Sequence, residues 1–214
     1  MKKVSLLCVL VICAALQPVM AQADAKAKTV LDGMTKKVKS LKSLKANFVI
    51  NITGGKVKDT KKGDISLKGD KYHLDLDGQE IICDNKTMWT YNKDAKEVQI
   101  SNFNPSEQSV SPAKLLTGSY EKEYNYSYKG EKKEKGKTYD LVELTPKDNN
   151  SKVSKMELMV DKATSIVSSG NIWEKNGNKI QYTISNFTPD ANVPDTYFAW
   201  DASSHPGVEA VDLR

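Results

Sequence analysis

The sequence predicts a mainly β, single-domain protein: an antiparallel sheet whose apolar face is covered by one N-terminal helix and one short helix. Three observations predict it. From Ala46 onward, apolar and polar residues alternate at strand spacing almost to the end of the chain. Pairs of turn-forming residues separate these runs. Helical spacing occurs only near the start and in one brief interruption, so the strand–helix–strand pattern of a parallel sheet is missing.

The opening residues read as an export signal. Lys2 and Lys3 are a short basic start, Val4 to Leu16 is an almost unbroken apolar run, and Pro18 breaks it ahead of Val19-Met20-Ala21. The run falls short of the roughly 20 apolar residues that span a bilayer. Cleavage after Ala21 is expected, giving residues 1–21 as signal peptide and 22–214 as one domain in the periplasm. Cys8 and Cys13 leave with the signal, and Ile12 rather than a small residue precedes Cys13, which argues against lipid anchoring there. Cys83 is then the one thiol retained and reads as a small buried hydrophobe; a single thiol cannot staple the domain.

Between Ala25 and Leu44, Val30, Leu31, Met34, Val38 and Leu41 recur at helical spacing with lysines on the other side, an amphipathic helix of about five turns. The period then changes. Ala46, Phe48, Ile50 and Ile52 share one face of a first strand that Gly54-Gly55 ends. Ile65 with Leu67, Tyr72 with Leu74 and Leu76, Trp89 with Tyr91, and Val98 with Ile100 continue the alternation. Tyr124, Tyr126 and Tyr128 follow, then Met156, Leu158 and Val160, and last Ile180, Tyr182 and Ile184. Gly69-Asp70, Asp77-Gly78, Asp84-Asn85, Asn92-Lys93, Asn149-Asn150 and Asn176-Gly177 supply residues that tolerate positive φ, as tight hairpins require. One stretch interrupts the strands. Ser111 suits a helix cap, Pro112 the first helical position and Gly118 the stop, with Leu115-Leu116 between them. Two helices are thin cover for this many strands, so part of the concave face is expected to remain an apolar hollow.

Composition narrows the function. The chain carries a formal net charge of +5, yet Arg214 is its lone arginine. Arginine is the usual reader of bases and phosphates, so nucleic-acid recognition is not expected. The lysines at 129, 132, 133, 135 and 137 read as a solvated hairpin tip, with loose steering toward anionic headgroups as the alternative. His73 and His205 are the two histidines; His73 is out of phase with the apolar residues of its strand and is expected to face solvent. No His or Cys pair has zinc-ligand spacing, and neither a nucleophile elbow nor a phosphate-binding glycine loop is present. An enzyme, a metal or a cofactor is therefore not expected.

The order of segments resembles the LolA family of outer-membrane lipoprotein carriers over nearly the whole mature chain. The segments are Leu44-Lys45-Ala46-Asn47-Phe48, Gly63 to Lys68 leading to Lys71-Tyr72, and Ile81 to Asn92 with its Asp-Asn-Lys turn and Trp89-Thr90-Tyr91. Ser111-Pro112 with Leu115-Leu116, Leu144-Thr145-Pro146-Lys147 and Pro206-Gly207-Val208-Glu209 complete it. The resemblance implies an incomplete, half-open antiparallel β-barrel closed by helices around an acyl-chain cavity. It places Leu67, Tyr72, Leu74, Leu76, Trp89, Tyr91, Met156, Leu158, Ile180 and Tyr182 at that cavity, and Pro112, Leu115 and Leu116 in its lid. Ordinary core packing explains the same residues equally from pattern alone, and Trp89 reads more simply as structural. The implied partners are acylated lipoproteins and an inner-membrane ATP-driven exporter, with an outer-membrane acceptor left open; a monomer is expected. Where the family usually carries an arginine that latches the lid, this chain has Gly69, with Lys68 the nearest base. The alternative role is a periplasmic module that senses lipids or lipoproteins by binding partner proteins.

Overall fold

A computed structural model describes residues 17–55, 57–104 and 120–214. Pro112, Leu115 and Leu116, expected to form a lid, lie outside the described residues. A long helix, α1 (Gln17–Ser40), leads into β1 (Leu44–Gly54), β2 (Val57–Lys68), β3 (Lys71–Leu76), β4 (Gln79–Cys83), β5 (Thr87–Asn92) and β6 (Glu97–Asn102). After a one-turn helix, Tyr120–Glu123, come β7 (Tyr124–Glu134), β8 (Lys137–Pro146), β9 (Val153–Asp161), β10 (Ile166–Glu174), β11 (Lys179–Pro189) and β12 (Glu209–Asp212).

All twelve strands form one sheet in the order β12-β6-β5-β4-β3-β2-β1-β11-β10-β9-β8-β7. Its two edges, β12 and β7, do not pair with each other, so it is a half-open barrel rather than a closed one. Every pairing is antiparallel except β12, which lies parallel on β6. Six turn pairs read from the sequence stand at hairpin connections, and Gly69, Gly78, Asn85 and Gly177 carry the positive φ that such turns demand.

One face of the sheet is apolar almost without a break. Leu44, Ala46 and Phe48 of β1 share it with Ile65 and Leu67 of β2 and with Tyr72 and Leu74 of β3. On the other side of β1 it continues through Tyr182, Ile172, Leu158, Met156, Val142 and Leu144. Ala27, Leu31, Met34 and Val38 of α1 are buried in the same core, and α1 packs on β7, β8 and β10. Covering the whole face from one side takes the apolar stripe of a helix plus strong curvature, and bulges between Lys45 and Asn47, Tyr128 and Gly130, and Val167 and Ser169 bend the strands.

Two glycines let aromatic rings lie flat on this face. Gly63 stands opposite Phe48, and Gly170 stands opposite Tyr182. A Cβ at Gly170 would collide with the Tyr182 ring and with the carbonyl of Glu157. Gly170→Ala is therefore expected to cost about 1–3 kcal/mol in denaturant unfolding, the usual penalty for overpacking.

Candidate functional site

The register decides which of the expected cavity residues meet. Leu67 pairs with Tyr72, Tyr72 with Cys83, and Leu76 with Gly63, all pointing to the concave face. Met156 pairs with Leu144 and Ile172, Leu158 with Val142 and Gly170, Ile180 with Ile52, and Tyr182 with Ile50, and these point to that face too. So Leu67, Tyr72, Leu74, Leu76, Met156, Leu158, Ile180 and Tyr182 are assembled on one apolar wall. Most are fully enclosed, but Leu76, Ile81, Ile50 and Ile180 on the same wall are only partly buried. Phe103 adds an edge-on contact to Tyr72, with ring centroids 6.3 Å apart.

Trp89 and Tyr91 do not belong to this wall. Trp89 pairs with Ile82 and Ile100, and Tyr91 with Glu80 and Val98, on the convex side. The reason is a reversal of polarity at this end of the sheet. Beyond Met88, the concave side of β5 and β6 carries Thr90, Asn92, Gln99 and Glu97, while Trp89, Tyr91, Val98 and Ile100 face outward. The apolar alternation of β5 and β6 is genuine, but it serves a second, smaller core. Ile82, Val98, Val193 and Phe198 are buried there, apart from the main cluster. Residues 190–205 cross the convex side to cover it. Tyr91 packs against Trp200 and His205, each at 5.2 Å between ring centroids.

The same segment corrects the expectation for His73. It is buried beneath Tyr197, whose ring stacks on the imidazole at 4.2 Å. Its Nε2 is 2.6 Å from Glu80 Oε1, and its Nδ1 is 2.9 Å from the carbonyl of Tyr197. His205 reaches the other carboxylate oxygen of Glu80 at 3.5 Å and stacks on Trp200 at 4.0 Å. An out-of-phase histidine thus faces a second layer instead of water. Nothing in its own strand signals that layer. A cavity of about 620 Å³ lies beside these groups, between Tyr197, Trp200 and His205 and the strand residues His73, Glu80 and Ile82. No group of three or more His, Cys, Asp or Glu among the described residues is placed to hold a metal ion.

The hydrogen-bonded imidazole of His73 holds the Glu80 carboxyl below its ordinary range, against the opposing effect of burial. Because folding lowers this pKa, the interaction stabilises the fold fully above the ordinary glutamate value of about 4.3. That contribution is lost as the pH falls through the lowered value of the folded state. Glu80→Gln is expected to cost about 1.5–3 kcal/mol at neutral pH, and the gap to wild type should close in acid, as read by urea unfolding across pH.

Lys68 and Gly69 take different roles. Gly69 adopts φ +59 in the β2–β3 turn. Lys68 donates to the carbonyl of Val193 at 3.1 Å and pairs with Asp195 at 3.0 Å, and so ties down the covering segment. Cys83 is a free, buried thiol, as its place among apolar residues predicts, and burial raises its pKa. Burial also raises Tyr182 well above the usual phenol range. Its buried hydroxyl has no hydrogen-bond partner among the described residues.

On the opposite flank the sheet opens. β10 and β11 pair only from Ser169–Thr183 to Trp173–Lys179. Beyond that point Ile166 and Val167 pair with β9 alone, and Ile184 to Pro189 with β1 alone. A cavity of about 790 Å³ occupies the gap, lined by these residues with Phe187, Lys37 and Lys137. Its size falls within the 300–1,000 Å³ usual for ligand sites.

Comparison with known proteins agrees with this architecture. A protein of Shewanella sp. (strain ANA-3), an outer-membrane lipoprotein carrier protein, is 30% identical over 150 residues, which is 67% of this chain and 68% of that protein. The counterpart in Shewanella sp. (strain MR-4) is 29% identical over the same shares of both chains. The crystal structure of an uncharacterised conserved protein from Thermus thermophilus shares the fold with a TM-score of 0.62 and 11% identity, over 87% of this chain and 99% of that one. Residues 39–201 match the model of the outer membrane lipoprotein carrier protein LolA, and the chain belongs to that family.

Proposed function

We propose that this protein is a periplasmic carrier that takes the acyl chains of lipoproteins onto its concave wall and ferries them from the inner to the outer membrane. Membership of the LolA family supports lipoprotein binding. The observation that carries the reading is the wall itself: one apolar face across nine strands, with Leu76, Ile81, Ile50 and Ile180 left partly open. Each acyl methylene removed from water contributes about 0.8 kcal/mol, so a carrier needs such a surface and little directional chemistry. Aliphatic side chains accept chains of different lengths without a fixed register.

In this reading the signal peptide is removed after Ala21, and residues 22–214 act as one domain. An ATP-driven exporter loads it, and Pro112, Leu115 and Leu116 form a lid that cargo displaces. The role is transport, not catalysis. Protein isolated from the periplasm and analysed by native mass spectrometry should carry acylated lipoprotein or lipid in part of the population. Protein that stays empty, even after exposure to inner-membrane vesicles rich in lipoprotein, would defeat the proposal.

A further inference from the structure

Charge on this molecule is not spread evenly. Between Asp32 and the end of β1 at Gly54 the sequence has no acidic residue, while lysines stand at 36, 37, 39, 42 and 45. Lys36, Lys37 and Lys39 lie in the last turns of α1, and Lys42 follows it. Far away in sequence, Lys133 and Lys135 flank the tip of the β7–β8 hairpin, and Lys137 opens β8. The fold brings the two basic segments together, since Lys37 and Lys137 line the same cavity between β10 and β11.

These lysines are available. Lys36, Lys37, Lys39, Lys42, Lys133 and Lys135 are all exposed, and none has an ion pair among the described residues. Most nearby acids are already paired with other lysines: Asp161 with Lys137 at 3.2 Å and Glu134 with Lys132 at 2.8 Å, while Asp190, which accepts the backbone N–H of Lys42 at 2.8 Å, keeps its charge. Glu131 is taken by Lys162 and Lys26. Two unpaired lysine clusters, Lys36 to Lys42 and Lys133 with Lys135, therefore flank a cavity that Lys37 and Lys137 line and whose wall mixes Ile184, Phe187 and Pro189 with Ser165, Ser168, Ser185 and Asn186.

We propose that this end of the half-barrel docks on the headgroup surface of an anionic phospholipid bilayer. Charge complementarity selects an anionic partner. The use of lysine, a flexible hydrated point charge, suits a fluid array of phosphates better than a fixed set of carboxylates, which arginine forks would grip. The inference goes beyond the carrier reading and stands on the surface alone, whatever fills the interior.

Each lysine near an anionic bilayer strengthens partitioning about fivefold. Flotation with vesicles of phosphatidylglycerol and phosphatidylcholine in equal parts reads this directly, with pure phosphatidylcholine as reference. The full chain without its signal should float with the anionic vesicles at low salt and be released as salt screens the charges. The variant K36Q/K37Q/K39Q/K42Q should lose binding by about a hundredfold or more, given that per-residue factor. K58Q/K96Q/K152Q, altered at the turns of the opposite end, should float as wild type does. Thermal melts of both variants check that the fold is kept. Equal loss in the two variants, or wild-type flotation of the first, overturns the proposal. So does failure to bind anionic vesicles together with salt-sensitive binding to polyglutamate, which would make the partner an acidic protein.

Discussion

Replacing Leu76 and Ile81 together with serine should weaken binding of a fluorescent acyl probe by about a hundredfold while leaving the protein folded. Both side chains stand on the concave wall, and both are only partly buried. Ile81 pairs with Leu74 and Thr90 across β3–β4–β5, and Leu76 with Gly63 and Gln79. Because each is partly open, its truncation leaves little internal void and costs the fold less than a core substitution does. A bound chain would instead lose apolar contact worth about 1.4 kcal/mol at each position, or tenfold per residue. Trp89→Ser serves as the contrast, for its side chain lies on the convex side. It should leave probe affinity unchanged even where it lowers the melting temperature. Titrations of the two variants and the wild type with one probe separate a lined hollow from a wall that only packs.

Leu158→Ala should be the most damaging single truncation, costing about 2–5 kcal/mol of unfolding free energy. Leu158 is fully buried, between Val142 of β8 and Gly170 of β10. Gly170 offers no side chain to move into the space, and its surroundings are set by the flat Tyr182 ring. The void would therefore persist. Domains of this kind have about 5–15 kcal/mol in total, so the variant should be near half its stability in urea. A loss below about 1 kcal/mol would mean that the wall relaxes freely and is not the rigid layer described.

Much of this architecture was legible in the sequence because it rests on local signals. Helical spacing at Leu31, Met34 and Val38 marked α1, and the alternation around Tyr72, Leu158 and Tyr182 marked both the strands and their buried side. Turn pairs such as Asp77-Gly78 placed the hairpins. The misplacements have one cause. Period 2 alone gives Trp89, Tyr91 and His73 their sides only where one face is wet and the other dry. The segment after Asp190 gives the convex side of β3 to β6 a second dry layer, anchored by Phe198, by the Tyr197 stack on His73, and by Lys68 on Asp195. Its sequence has neither period, only Pro194, two short 3-10 turns and scattered aromatics. The parting of β10 from β11 is equally hidden, since period 2 continues unbroken through Ile184 while β11 keeps β1 and loses β10.

Photo-crosslinking from the two sides of the sheet tests the central claim most directly. A photoreactive phenylalanine would be placed at Leu76 on the concave wall and at Tyr91 on the convex side, in the presence of inner-membrane vesicles carrying an acylated lipoprotein. The wall position should capture the lipoprotein, lose it when the acylated cysteine is removed, and leave the convex position silent. Capture from Tyr91 in place of Leu76, or equal capture of acylated and unacylated protein, would contradict the account.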